Sequence, residues 1–213
     1  MAFPFPFLLL LAADAATGGA SARAPAPPSE LHVAIVRIPA PWYAPQWLIR
    51  SKMRQTVATY EGMPGLAFKA YTIAASDGAF GGVYLWRDEA SLRGHFSPQW
   101  YARVRESRGA DPEVRTFGVS EVRDVTPGGT TEASATSATV ITLERSASER
   151  HGSSGETGLL REYVLAPSAA PFRRIRMWAD REHALAAGVR EDDLSAEWFR
   201  APIFVRNEEA RGG

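Results

Sequence analysis

One unit written twice constrains the fold of this chain more than any other feature. "GGVYLWRDEASL" (81–92) and "RRIRMWADREHAL" (173–185) each alternate up to a Trp, place an Asp two positions later, and then turn to a helical pattern. Asp88 and Asp180 both stand where an N-cap is wanted. The segment before each copy matches as well: "GLAFKAYTIA" (65–74) is paralleled by "GLLREYVLA" (158–166). Three matching segments in one order read as an internal repeat.

The elements around these anchors follow from periodicity. "LHVAIVRI" (31–38) alternates and is rich in β-branched residues, as a strand does. After Pro45, Ile49, Met53, Val57 and Tyr60 recur at helical spacing, with Gly62 where a C-cap is wanted. Strands are predicted at 65–75 and 82–86. A helix follows from Asp88 through Leu92 and Phe96, Ser97-Pro98 restarts it through Tyr101 and Val104, and a strand at 114–125 closes the unit. This order is β-α-β-β-α-β, the ferredoxin-like arrangement. The grammar restarts at 139–143, continues through 158–166, 173–178 and the Asp180 helix, and closes at 201–207. The first helix has no counterpart: "ERSASERHGSSGET" is short and loop-like, so the second copy is eroded.

The predicted fold class is therefore α+β: tandem ferredoxin-like repeats forming an intrachain dimeric α+β barrel. A lone four-stranded unit leaves one sheet face bare, and packing two sheets together covers it at about 25 cal/mol per Å². The expected organisation is a signal peptide at 1–24, a Pro-rich linker at 25–30, repeat 1 at 31–126, a linker at 127–138 and repeat 2 at 139–210. The chain is expected to be a monomer with an internal pseudo-dimer, or a homodimer. In the third strands, the aliphatic Val83 and Leu85 are expected under the helices. Tyr84, Trp86, Arg176 and Trp178 are expected to face the space between the two halves.

Composition sets limits. Lys+Arg and Asp+Glu both total 24 in 213 residues, so no net field attracts nucleic acid or an anionic membrane. Lys52 and Lys69 are the only lysines, a skew that reads as coding bias. With no cysteine, thiolate chemistry and disulfides are excluded. The apolar run Phe3–Ala13 is too short for a membrane span but suits an export signal, with A-x-A patterns at 13–15 and 22–24. A cleaved signal implies secretion or a periplasmic location, and its absence a cytoplasmic one.

"GGVYLWRDEASLRGHF" with the closing strand "EVRTFGVSEVRDV" resembles the YdhR-type monooxygenase-like proteins. More distantly it resembles the antibiotic-biosynthesis monooxygenase group of dimeric α+β barrels. The signature positions are Trp86, Asp88, His95 and Ser97-Pro98, and the similarity covers about residues 31–126. Trp100 stands where a His is often found after the Ser-Pro, and the strand-one Asn of haem-degrading relatives is absent.

The resemblance implies cofactor-independent oxygenation of a small aromatic or hydrophobic molecule. A base draws off a proton from an electron-rich phenol or anthrone, and the carbanion reacts with O₂. His95 is the candidate catalytic base, because imidazole titrates near neutral pH. Read from the residues alone, it is equally a plain histidine at a helix end. Tyr84, Trp86, Trp100, Tyr101 and Arg176 are the candidate substrate-binding residues, the aromatics serving otherwise as core. Arg173, Arg174 and Arg176 could clamp a carboxylate or simply line a solvated strand. No cofactor is expected, and no metal either, since His32, His95, His151 and His183 share no ligand spacing. Ser153 and Ser154 beside His151 lack a nucleophile elbow. The alternative function is a non-catalytic barrel that binds a hydrophobic ligand or haem.

Overall fold

A computed structural model describes residues 30–124, 136–146, 156–166 and 172–207. The expected signal peptide, most of the 127–138 linker, and His151 with Ser153 and Ser154 lie outside the described residues.

Eight strands close a single barrel in the order β1-β3-β2-β8-β5-β7-β6-β4. They are β1 His32–Ile38, β2 Leu66–Ala74, β3 Phe80–Trp86, β4 Glu113–Asp124, β5 Val140–Ser146, β6 Leu159–Leu165, β7 Phe172–Trp178 and β8 Ala196–Arg206. All neighbours pair antiparallel. Strands 1–4 run in the order 4-1-3-2 and strands 5–8 in the same order, 8-5-7-6. The β2–β8 and β4–β6 pairings join the halves. Closure leaves no sheet edge open to another chain. The last strand begins at Ala196, earlier than the apolar run at 201–207 suggested.

The helices lie on the outside. They are α1 Gln46–Gln55, α2 Val57–Tyr60, α3 Glu89–His95, α4 Pro98–Arg108 and α5 Arg181–Ala186. Their boundaries follow local chemistry. Asp88 caps α3 by accepting from Ser91 N at 2.6 Å, and Asp180 caps α5 by accepting from His183 N at 3.0 Å. Ser97 caps α4, where Pro98 fits the first turn and the left-handed Gly109 ends it. The stripe expected as one helix through Tyr60 breaks at Thr56, whose hydroxyl donates to Met53 O at 2.9 Å in competition with the helix ladder.

The face assignment from sequence is corrected. Val33, Ile35, Val83 and Leu85 pack in one buried cluster with Ile141, Leu143, Ile175 and Met177, so the aliphatic set fills the barrel lumen. Tyr84 and Trp86 pack instead with Leu92 of α3 and Trp100 of α4, and Trp178 packs with Ala184 of α5. Arg176 shares the outer face with Trp178. An eight-stranded barrel has an interior just wide enough for side chains. Branched groups from β1, β3, β5 and β7 share that space with the rings of Phe68, Tyr163 and Phe199, while Tyr84, Trp86 and Trp178 go outside under the helices.

Two glycines fix the turns that precede the matching strands. Gly65 has φ +73 and Gly158 has φ +77. The Gly65 carbonyl accepts from Arg87 N at 2.7 Å, and the Gly158 carbonyl from Ala179 N at 2.8 Å. A Cβ on Gly65 would meet Ser91 Oγ at 2.0 Å, and one on Gly158 would meet His183 Cγ at 2.2 Å. Gly158→Ala should therefore lower stability by about 1–3 kcal/mol in a denaturant melt, combining strained backbone with a clash.

Candidate functional site

The space between the outer sheet face of the first half and helices α1, α2 and α4 is incompletely filled. A cavity of about 280 Å³ remains there, lined by Met53, Tyr60, Lys69, Tyr71, Tyr84 and Trp100 among others. That is near the lower end of ligand pockets, roughly 300–1,000 Å³. Pro41, Tyr43 and Leu48 also line it, and their chain neighbours Trp42 and Trp47 are 96% and 70% exposed.

Lys69 is the chemically unusual wall residue. It is central in β2, whose nine residues are all buried, and is itself 3% exposed. Alternation turns it outward with Tyr71, away from the lumen residues Phe68 and Ala70. Its Nζ lies 3.3 Å from the Tyr60 ring centroid, 3.9 Å from that of Tyr71 and 4.6 Å from that of Tyr84. Among the described residues no carboxylate forms an ion pair with it. Gly82 makes its space: a Cβ there would stand 3.2 Å from Lys69 Cε and 2.9 Å from Ala70 O.

Two effects compete over the charge of this amine. Ring faces favour the ammonium by about 2 kcal/mol when desolvated. Burial without a counter-ion costs more, and is enough to move a lysine by several pKa units. Burial wins, reinforced by Arg108 of α4, and holds the Lys69 pKa well below the usual lysine range. Burial also raises the tyrosines: Tyr84 well above its ordinary value, Tyr71 to about 12, and Tyr60 upward. The Thr56 hydroxyl proton is committed to Met53 O, so the Tyr71 hydroxyl donates to Thr56 Oγ1 at 2.8 Å. An amine biased by burial toward its uncharged form and ringed by phenols can take up a proton, and the phenols can donate hydrogen bonds to a developing anion.

Of the residues singled out from sequence, Tyr84 and Trp100 line this cavity. Trp86 and Tyr101 pack behind it and do not. His95 ends α3 in a box of rings, with centroids 5.1 Å from Trp86, 4.8 Å from Phe96, 5.8 Å from Trp100 and 6.0 Å from Tyr84. Its Nε2 is buried without a hydrogen-bond partner. Burial first, with the charge of Arg103 adding to it, lowers its pKa to about 4. The unfolded state therefore holds a proton on His95 that the folded state does not, between its usual value near 6.5 and about 4. Stability should fall as pH falls through that window, and His95→Phe should flatten the decline in a pH series of thermal melts.

Arg176 lies in the other half, 2% exposed. Its Nε donates to Glu162 Oε2 at 2.8 Å, and its Nη1 is 2.9 Å from Glu156 Oε2. The carboxylates it clamps are the protein's own. Lys69, the residue missed, carried one signal in the sequence: it is a lysine at the centre of an otherwise apolar strand, in a chain with 22 arginines and two lysines. Both lysines line this cavity.

A wider groove of about 1040 Å³ runs along β8 and α5. Its ionisable residues Arg181, Glu182, Glu191 and Arg200 are solvent-exposed, and Arg50 and Asp180 are half-buried. Among the described residues no cluster of three or more His, Asp or Glu could hold a metal ion, and no helix is long and apolar enough to cross a membrane.

The fold has solved counterparts. One is an anthrone oxidase-like protein, with a TM-score of 0.55 and 11% identity over 84% of this chain and 93% of the other. A presumed monooxygenase from Lactobacillus acidophilus gives 0.52 and 8% identity over 83% and 96%. Another from Fusobacterium nucleatum gives 0.55 and 9% identity over 87% and 96%. These likenesses show a shared α+β barrel fold. No protein-family model and no curated protein matches the sequence.

Proposed function

We propose that this chain is a cofactor-independent monooxygenase-like enzyme, of the YdhR type suggested by its Trp86–Asp88–His95–Ser97-Pro98 signature, acting on a small hydroxylated aromatic in the Lys69 cavity. The observation that carries this reading is a buried amine with no counter-ion among the described residues, in the wall of a small cavity with Tyr60, Tyr71, Tyr84 and Trp100. Likeness to an anthrone oxidase-like protein supports the substrate class. Lys69 takes the base role that sequence assigned to His95, because it faces the cavity and His95 does not line it. Nζ accepts a proton from an activated C–H, the carbanion adds O₂, and the peroxide anion takes that proton back from Nζ. The resulting hydroperoxide loses water to leave a carbonyl. The tyrosine hydroxyls orient the substrate and stabilise its anion. His95 stays uncharged and keeps the back wall dry.

The halves are, on this reading, two ferredoxin-like copies of one unit. Their identical strand order, the Gly65/Gly158 turns and the Asp88/Asp180 caps support that. Register carries the correspondence to the site: Lys69 pairs across from Tyr84, and Glu162 pairs across from Arg176. The second copy lines its own space, about 370 Å³, with a salt-bridge cluster of Glu144, Glu156, Arg174 and Arg176 in place of an amine and rings.

The test is oxygen uptake by purified protein with anthrone and with simple hydroxyaromatics, no cofactor added. Uptake with formation of the carbonyl product is expected. No uptake and no spectral change with any of these compounds would refute the enzyme assignment.

A further inference from the structure

We infer that Lys69 is also a nucleophile, able to condense with a small hydrophobic aldehyde in its cavity to form an imine. The geometry requires only that the amine be uncharged, reachable and dry. Lys69 lines a cavity whose wall also includes Leu48, Arg108 and the exposed Tyr43. Among the described residues no carboxylate pairs with it, and the wall cations nearby are Arg108 and Lys52. Amines become nucleophilic when held in an apolar pocket beside another cation. Burial and Arg108 push Lys69 in that direction.

The ring walls select the partner. Tyr60, Tyr71, Tyr84 and Trp100 offer flat apolar surface, and the volume admits a compact aromatic. In the step itself, the nitrogen lone pair attacks the carbonyl carbon and the C=O pair moves to oxygen. Oxygen takes up the proton that nitrogen releases, and the carbinolamine expels that oxygen as water to leave C=N. No oxidant or reductant is consumed. The inference uses the same cavity as the proposed oxygenation but does not depend on O₂ chemistry.

The chain supplies its own control. Lys52, the only other lysine, lies on α1, lines the same cavity and is exposed. Folded protein is incubated at pH 7 with benzaldehyde and sodium cyanoborohydride, which reduces an imine to a stable secondary amine, and the two lysine peptides are quantified by mass spectrometry. Lys69 should label at least about tenfold faster than Lys52, as a desolvated amine does beside a solvated one. Labelling in urea should erase the difference. Equal labelling of the two, or labelling of Lys52 alone, would overturn the inference. Because the readout is made on the wild-type chain, misfolding of a Lys69→Arg variant cannot obscure it. Oxygen uptake measured in parallel separates the two readings: uptake without a Lys69 adduct sinks the nucleophile alone, and an adduct without uptake sinks the oxygenase alone.

Discussion

Lys69→Met should reduce oxygen uptake by about 10²–10⁴-fold, the usual contribution of a positioned general base, while making the folded protein more stable at neutral pH. These opposite signs follow from one fact. A buried amine without a counter-ion is costly to keep, and Met fills nearly the same volume with no polar group. A variant that loses activity by unfolding would lose both. The linkage has a definite sign. The unfolded lysine titrates near 10.4 and the folded one well below it, so between those values the unfolded state binds the extra proton. Wild-type stability therefore rises with pH across that window. Met carries no such dependence, so the stability advantage of the variant should shrink as pH is raised from 7 to about 9.5. The raised tyrosines work oppositely: they lose stabilisation as pH climbs past about 10, so the series should stop below it. Thermal melts of both proteins across pH, with oxygen uptake at pH 7, check the prediction. A variant less stable than wild type at pH 7 would mean that the ring contacts at 3.3–4.6 Å outweigh burial and that the amine is charged.

The fold was legible because its signals are local and were written twice. Alternation ending at Trp86 and Trp178, the caps Asp88 and Asp180, and the breaks at Ser97-Pro98 and Gly109 place strands and helices without tertiary information. What alternation does not reveal is which face is which. Val83/Leu85 and Tyr84/Trp86 are both apolar sets, and both are buried, one in the lumen and one under α3 and α4. Barrel closure decides between them, and closure depends on β2–β8 and β4–β6 pairings between residues far apart in the chain. The site was less legible for the same reason. Lys69 becomes unusual only when Tyr60 from α2 and Tyr71 and Tyr84 from two strands converge on it. That convergence depends on the break at Thr56, which no apolar stripe announces. His95 drew attention as a titratable side chain in a signature, yet its surroundings are the rings of a packed core.

Arg176→Met should be the most destabilising single change on the far side of the barrel, costing about 3–5 kcal/mol and lowering Tm by about 6–20 °C. Arg176 is 2% exposed and Glu162 is 2% exposed, so neither charge can fall back on water. Its guanidinium meets Glu162 at 2.8 Å and Glu156 at 2.9 Å, and lies 3.8 Å from Glu144. Arg174 reaches Glu144 at 3.0 Å, and Arg123 stands 3.4 Å from Glu162, so two weaker cations remain once Arg176 is gone. Thr142 extends the cluster by donating to Glu144 at 2.8 Å while accepting from Trp178 Nε1 at 3.0 Å. The loss measures stranded carboxylates rather than the net worth of the cluster, and a second variant tells these apart. Arg176→Met with Glu162→Met removes the nearest stranded charge together with its partner, so the double variant should lose less than the sum of the two single losses. Additive losses would mean that the two residues act independently and that Glu156 and Glu144 carry the cluster. Glu162 and Arg176 stand in register where Lys69 and Tyr84 stand in the first half. Exchanging an amine and a ring for a carboxylate and a guanidinium fills that position with bonded charge. Oxygen uptake should therefore survive Arg176→Met at temperatures well below its lowered Tm, and a matching loss of activity in still-folded protein would place Arg176 in the reaction.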